Sequence, residues 1–190
     1  MKFLAKSFIL CLAATELATA SSAHRITEEY ERGIAQFTVA IREIDAGFTT
    51  WHGDIQRLYP LWHNYFQSVA HLTHETLPYA EPLEREEDIR RLVPGIKRAV
   101  DAAEAITQTY KLNLALIERK KLCDDFLKIA LKILFTEIEF FEAFLAKIPD
   151  CRLGRGLAPY KLTIDKIVRE LVQVFAPGNC TDSGSRGHHY

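Results

Sequence analysis

The sequence predicts an all-α protein, an antiparallel bundle of about five helices, on three observations. Apolar residues recur at spacings of three and four along most of the chain. Prolines and glycines cluster where one such run gives way to the next. No stretch alternates β-branched and polar residues as a half-buried strand would.

The first run is Tyr30, Ile34, Phe37, Ile41, Ile44, Phe48, Trp51, Ile55 and Leu58, the stripe of one amphipathic helix over residues 27–58. Thr27 suits its N-cap, and Glu28 and Glu29 suit the positive end of its dipole. Gly47 and Gly53 each weaken it by about 1 kcal/mol relative to alanine, which favours a bend there. Pro60 opens a second helix at a position that tolerates proline, with its stripe at Leu61, Trp62, Tyr65, Phe66, Val69 and Leu72. Residues 73–82 hold two prolines and no period, and read as a loop.

A third helix begins near Leu83, with a kink expected at Pro94-Gly95, and continues through Val100, Ile106, Tyr110 and Ile117. The fourth carries Leu122, Phe126, Ile133, Phe141, Phe144 and Ile148, and the fifth spans residues 158–175. No proline or glycine separates the third from the fourth. A single rod from Ile96 to Ile148 would measure on the order of 80 Å, too long for a domain of this size, so a break is expected within residues 119–124.

The ends bear on destination. Lys2 and Lys6, the short apolar run from Phe8 to Ala14, and Ala18-Thr19-Ala20 form the pattern of a signal peptide over residues 1–20. Cleavage after Ala20 would leave 170 residues with 22 basic and 24 acidic side chains, a bundle domain over 21–176 and a polar, disordered tail over 177–190. Such balanced, interleaved charge supplies no electrostatic drive toward nucleic acid or anionic membranes. A secreted or cell-wall-associated protein with no transmembrane anchor is the expectation.

Three cysteines follow residue 20. Cys123 and Cys151 flank the fourth helix and stand on the order of 40 Å apart along it, far beyond disulfide reach. An antiparallel fifth helix returns Cys180 to the Cys123 end, which predicts a Cys123–Cys180 bridge with Cys151 free. Asn179-Cys180-Thr181 is a glycosylation sequon at Asn179, and it shares a residue with that bridge.

Catalytic signatures are missing: there is no Gly-x-Ser-x-Gly, phosphate loop or His-Glu-x-x-His. His71 and His74 share a helix face at a metal-compatible spacing but also read as polar residues at a helix end; no metal or cofactor is expected. One residue breaks its pattern. At 100° per residue, Glu137 falls opposite the wet face of the fourth helix, among Phe126, Ile133, Phe141 and Phe144. A carboxyl group there needs a buried ion pair or a tyrosine hydrogen bond, or else it is a polar group inside a ligand cavity. As an acid it could share a proton with a fatty-acid head group; as a carboxylate it would repel one.

Several short patterns carry a family resemblance. They are Ile41-x-x-Ile44-Asp45-x-x-Phe48-x-x-Trp51 on the first helix, Asp88-Ile89-x-x-Leu92-Val93-Pro94-x-Ile96 on the third, Glu139-Phe140-x-x-Ala143-Phe144-Leu145 on the fourth and Leu162-x-x-Asp165 on the fifth. In these the chain resembles the fungal hydrophobic surface-binding protein and cell-wall galactomannoprotein family. The resemblance implies a secreted helical bundle; some members bind long-chain fatty acids inside it, and others coat hydrophobic surfaces.

The expected function is therefore sequestration of a fatty acid or similar amphiphile between helices. The alternative is hydrophobic-surface or cell-wall adhesion without a defined small ligand. The expected ligand-lining residues are Phe37, Ile41, Ile44 and Phe48 on the first helix, Ile133, Glu137, Phe141 and Phe144 on the fourth, and Tyr160 and Ile164 on the fifth. Tyr30 and Tyr110, also on apolar stripes, are candidate head-group anchors beside Tyr160.

Overall fold

A computed structural model describes residues 27–148, 152 and 155–182. The expected signal peptide, Cys151 and residues 183–190 of the expected tail lie outside the described residues. Among those described the chain is all-α: α1 (27–49), α2 (Tyr59–Ala70), α3 (Glu86–Leu112), α4 (Leu114–Arg119), α5 (Cys123–Leu145) and α6 (Ala158–Phe175), with no strand.

The direction of each helix follows from contacts at its ends. Thr27 donates to Asp88 at 2.9 Å where α1 and α3 begin, and Thr109 donates to Asp45 at 2.5 Å near where both end, so these two run parallel. The disulfide joins the start of α5 to the residues just after α6, which makes that pair antiparallel. Tyr30 near the start of α1 meets Phe144 near the end of α5, and Phe48 near the end of α1 meets Phe126 near the start of α5. Trp62 in the first turn of α2 meets Tyr110 in the last turn of α3. Helices α1, α3 and α6 thus run one way, and α2 and α5 run the other.

Helix α1 is shorter than its stripe. It ends at Thr49, because Gly53 takes φ +94° and the Asp54 carboxylate accepts from the Gln56 amide at 3.1 Å to start a 3₁₀ turn, Ile55–Arg57. A side chain at Gly53 would also collide with Lys120, its Cβ lying 2.5 Å from Cε. Trp51 and Leu58 remain buried beyond the helix end, which is why the periodicity runs on past it.

The expected loop at 73–82 is instead largely wound. A π-helical turn, His71–Thr76, runs into a 3₁₀ turn, Leu77–Tyr79, whose first turn accommodates Pro78. Lys147 clasps this segment to the end of α5. Its ammonium donates to the carbonyls of Pro78 at 2.9 Å and Ala80 at 3.0 Å, and its own carbonyl accepts from the Leu83 amide at 2.8 Å.

Helix α3 starts at Glu86, three residues later than expected, and continues through Pro94-Gly95 to Leu112. Gly95 lets α1 approach, since a Cβ there would meet Ile34 at 3.3 Å. Asp88, buried in the first turn of α3, accepts from Arg85 through both oxygens, at 2.8 and 2.7 Å. The Arg85 hydrogen bond, with that from Thr27, holds the Asp88 carboxyl below the ordinary aspartate range. The break expected from length alone falls at residues 120–122, where Lys121 adopts φ +58°.

Cys123 and Cys180 are bridged, with Cα atoms 5.7 Å apart, as the antiparallel return of α6 requires. The described start of the expected tail packs on this end: the Cys123 amide donates to Asp182 at 3.2 Å and the Thr181 amide to Glu118 at 3.0 Å. Asn179 is exposed, and its side-chain amide donates to the Gln173 carbonyl at 2.8 Å near the end of α6.

Next to the bridge the core is densely aromatic. Phe126, fully buried, has the rings of Phe48, Trp51, Trp62, Tyr110 and Phe175 at centroid distances of 5.3–6.0 Å. The Trp62 indole donates to the Tyr110 hydroxyl at 3.0 Å, so this cluster is both apolar and hydrogen-bonded.

Candidate functional site

From Tyr110 of that cluster onward, the packing among α1, α2, α3, α5 and α6 is incomplete. Three cavities lie in succession, of about 40, 20 and 20 Å³. The first is bounded by Phe37, Ile41 and Ile44 of α1, Tyr65 of α2, Ile106 and Tyr110 of α3, Ile133 and Glu137 of α5, and Ile164 and Leu171 of α6. Phe37 and Ile164 also wall the second cavity, together with Ile96, Phe140, Phe141 and Phe144. Ile34, Phe140 and Phe144 are then shared with the third, which reaches Glu29, Tyr30, Leu72 and Leu77 under the π-helical turn.

Along α1 the string runs from Ile44 to Glu29, about 22 Å at helical rise. Stacked Phe37 and Phe140 rings, centroids 5.4 Å apart, stand at its partitions. The first cavity has room for roughly three water-sized groups and the others for one or two. Side chains fill most of the interior, and a long hydrocarbon would have to displace some of them to occupy it.

None of the residues lining the three cavities is a lysine or arginine. The first contains one acidic group. Glu137 is 4% exposed, and its Oε1 accepts from the Tyr65 hydroxyl, while Oε2 is buried without a hydrogen-bond partner. Burial raises the Glu137 carboxyl to about 7, against the opposing pull of the Tyr65 hydrogen bond; Asp165 on α6 adds to the rise. Tyr65 is itself pushed well above the ordinary tyrosine value, by burial first and by Glu137 second. The tyrosine hydrogen bond was one of the three environments open to Glu137 from its sequence position; the structure shows it together with a cavity wall.

A stability slope follows from this carboxyl. In the unfolded chain Glu137 loses its proton near 4.5, whereas in the folded chain it keeps it to about 7. Stability from the neutral acid is fully present below pH 4.5 and is lost as pH rises through 7, by about 3 kcal/mol. Urea unfolding across that range should show this decline in the natural protein and a flatter profile in Glu137→Gln. Identical profiles would mean that Glu137 does not retain its proton on folding.

The sequence-derived candidates divide as follows. Phe37, Ile41, Ile44, Ile133, Glu137 and Ile164 meet around the first cavity. Phe141 and Phe144 line the second. Phe48 belongs to the aromatic cluster around Phe126, and half-buried Tyr160 lines none of the three cavities. Tyr110 borders the first cavity. Tyr30 borders the third; its hydroxyl donates to the Glu81 carbonyl at 2.7 Å, and burial raises it to about 12.

Tyr65 is the polar residue that sequence reasoning missed. It stands on the stripe of α2 like any core aromatic, and only the fold brings it to Glu137, 72 residues away. His71 is paired with Glu75 at 2.8 Å and His74 with Glu139 at 3.5 Å. Among the described residues no three His, Cys, Asp or Glu side chains group as a metal site.

These features define a class: a helical bundle with a string of small apolar cavities along its interior. No protein-family model matches the chain, and comparison with curated proteins finds no match. Among solved structures it is similar to ligand-binding domain 1 of the Penicillium marneffei MP1 protein complexed with arachidonic acids, at TM-score 0.73 and 10% identity over 80% of this chain and 99% of that one. Ligand-binding domain 2 of the same protein, complexed with multiple arachidonic acids, matches at TM-score 0.73 and 12% identity over 79% and 96%. At these identities the likeness is one of fold.

Proposed function

We propose that this protein is a secreted carrier that takes up fatty acids or similar amphiphiles between its helices. The observation that carries the reading is the string of three apolar cavities joined through shared aromatic walls. The shared fold with domains complexed with arachidonic acids supports it, as does the sequence resemblance to a fungal family with fatty-acid-binding members. Burial of each methylene contributes about 0.8 kcal/mol, so a chain of about sixteen carbons has ample gross drive to displace side chains along this string of small cavities.

Of the expected lining residues, Phe37, Ile41, Ile44, Ile133, Glu137, Phe141, Phe144 and Ile164 remain the proposal for the binding site, with Tyr65 added and with Phe48 and Tyr160 outside the cavities. Export is supported by the signal-like first twenty residues and by the disulfide, a bond of oxidising compartments. No helix among the described residues is long and apolar enough to cross a membrane. We place the glycan, if the sequon is used, on exposed Asn179 beside the bridge.

Delipidated protein titrated with a fluorescent fatty acid should saturate near one or two equivalents. Absence of saturable binding would end this reading. The same experiment decides a second one, adsorption to hydrophobic surfaces or the cell wall. That alternative draws on Phe135 and Leu162, 66% and 67% exposed on α5 and α6, and requires adsorption without stoichiometric uptake.

A further inference from the structure

We infer that the first cavity selects hydrocarbon ligands carrying a neutral aliphatic hydroxyl, seated against Oε2 of Glu137; this rests on the lipid-binding reading above. Three observations converge on it. Glu137 lines the cavity, and its Oε2 is buried without a hydrogen-bond partner, while the other oxygen of the same carboxyl is engaged by Tyr65. A buried polar atom left unmatched is costly, so a ligand that satisfies it gains over one that does not. The rest of the wall is almost entirely hydrocarbon, which leaves this atom as the main point of polar discrimination.

The third observation concerns charge. An anionic head group placed at Oε2 would find no lysine or arginine in any of the three cavities. A carboxylate only accepts hydrogen bonds, so it pairs with Glu137 solely while Glu137 holds its proton. A hydroxyl both donates and accepts, and therefore meets Oε2 in either protonation state. The titratable groups facing this position are Tyr65 from α2 and Tyr110 from α3, with Asp165 on α6 acting at longer range; α1 contributes only Phe37, Ile41 and Ile44.

Position along the string fits the same chemistry. Glu137 lines the first cavity, and the other two lie in line past Phe37 and Phe140 toward Tyr30, the direction in which hydrocarbon on that side of the hydroxyl would displace side chains. Two sources share this group: the head of a fatty alcohol, or a hydroxyl midway along a fatty-acid chain.

The test is competition against a fluorescent fatty acid, using the delipidated full chain at pH 6 and pH 8. The three competitors are octadecanoate, 12-hydroxyoctadecanoate and octadecan-1-ol. At least one hydroxylated ligand should bind about tenfold more tightly than octadecanoate at pH 8. A gain for the alcohol identifies a head-group hydroxyl, and a gain for the hydroxy acid identifies a mid-chain one. The advantage should vanish in Glu137→Leu and persist in Glu137→Gln, whose amide both donates and accepts.

A measurement on the natural protein accompanies the variants. The infrared carboxyl band of Glu137 should shift on binding the hydroxylated ligand and stay in place with octadecanoate. Equal affinities for all three competitors, or a preference that survives Glu137→Leu, would overturn the inference and leave lipid binding standing. Failure of all three to bind would overturn both.

Discussion

Replacing Cys123 and Cys180 together by serine is expected to cost about 4 kcal/mol of folding stability, from the 57-residue separation that the bridge closes. The bond joins the first residue of α5 to the segment just beyond α6, and the Cys123 amide and Glu118 also hold Asp182 and Thr181 there. Its loss should therefore be felt first at that end. Amide exchange should accelerate in the last turns of α6 and at residues 176–182, before the rest of α5 responds. Urea midpoints with and without reductant measure the size of the effect, and peptide-resolved exchange measures its place. An unchanged midpoint would mean that the aromatic cluster alone holds the two helices together.

That cluster supplies the second large effect. Phe126→Ala should destabilise by about 4 kcal/mol, because the truncated ring leaves five aromatic neighbours around a void. For a chain of this size such a loss lowers Tm by on the order of 10 °C. The two tryptophans of the protein, Trp51 and Trp62, lie 5.6 and 5.4 Å from Phe126, so their emission reports the site directly. A calorimetric scan and a fluorescence spectrum together separate a local void from global loosening. A Tm within a degree or two of the natural protein would show that the neighbours close over the gap.

How much of this was legible beforehand differs by level. Helix content and order were written in the spacing of apolar residues, since a stripe such as Phe37, Ile41 and Ile44 has only one economical burial. Boundaries were harder. The stripe of α1 runs on through Trp51 and Leu58 because those side chains still face the core after Gly53 has turned the backbone. Spacing reports which way a residue points, not whether the peptide joining it to the next is helical. Proline misled in the opposite direction at residues 73–82: Pro78 occupies a first-turn position where no amide bond is sacrificed, so the segment winds where a loop was expected. The break before α5 followed from length, and the disulfide followed from the direction of α6.

The site was legible only in part. Glu137 stood out because a carboxyl on an apolar face demands an explanation. Its partner Tyr65 did not, because a tyrosine on a stripe is indistinguishable from ordinary core until the helices are placed. The cavities left no trace in the sequence. They lie between side chains contributed by five helices, an arrangement that periodicity along any one helix does not contain.

The lack of lysine and arginine around the three cavities has a consequence for traffic. On the proposed lipid-binding reading, a passenger inside would meet no lysine or arginine among the described lining residues to detain it. Under that reading, loading and unloading would be a matter of partitioning between oil-like and aqueous phases, gated by how readily aromatic rings step aside, with dissolved salt having little purchase on either.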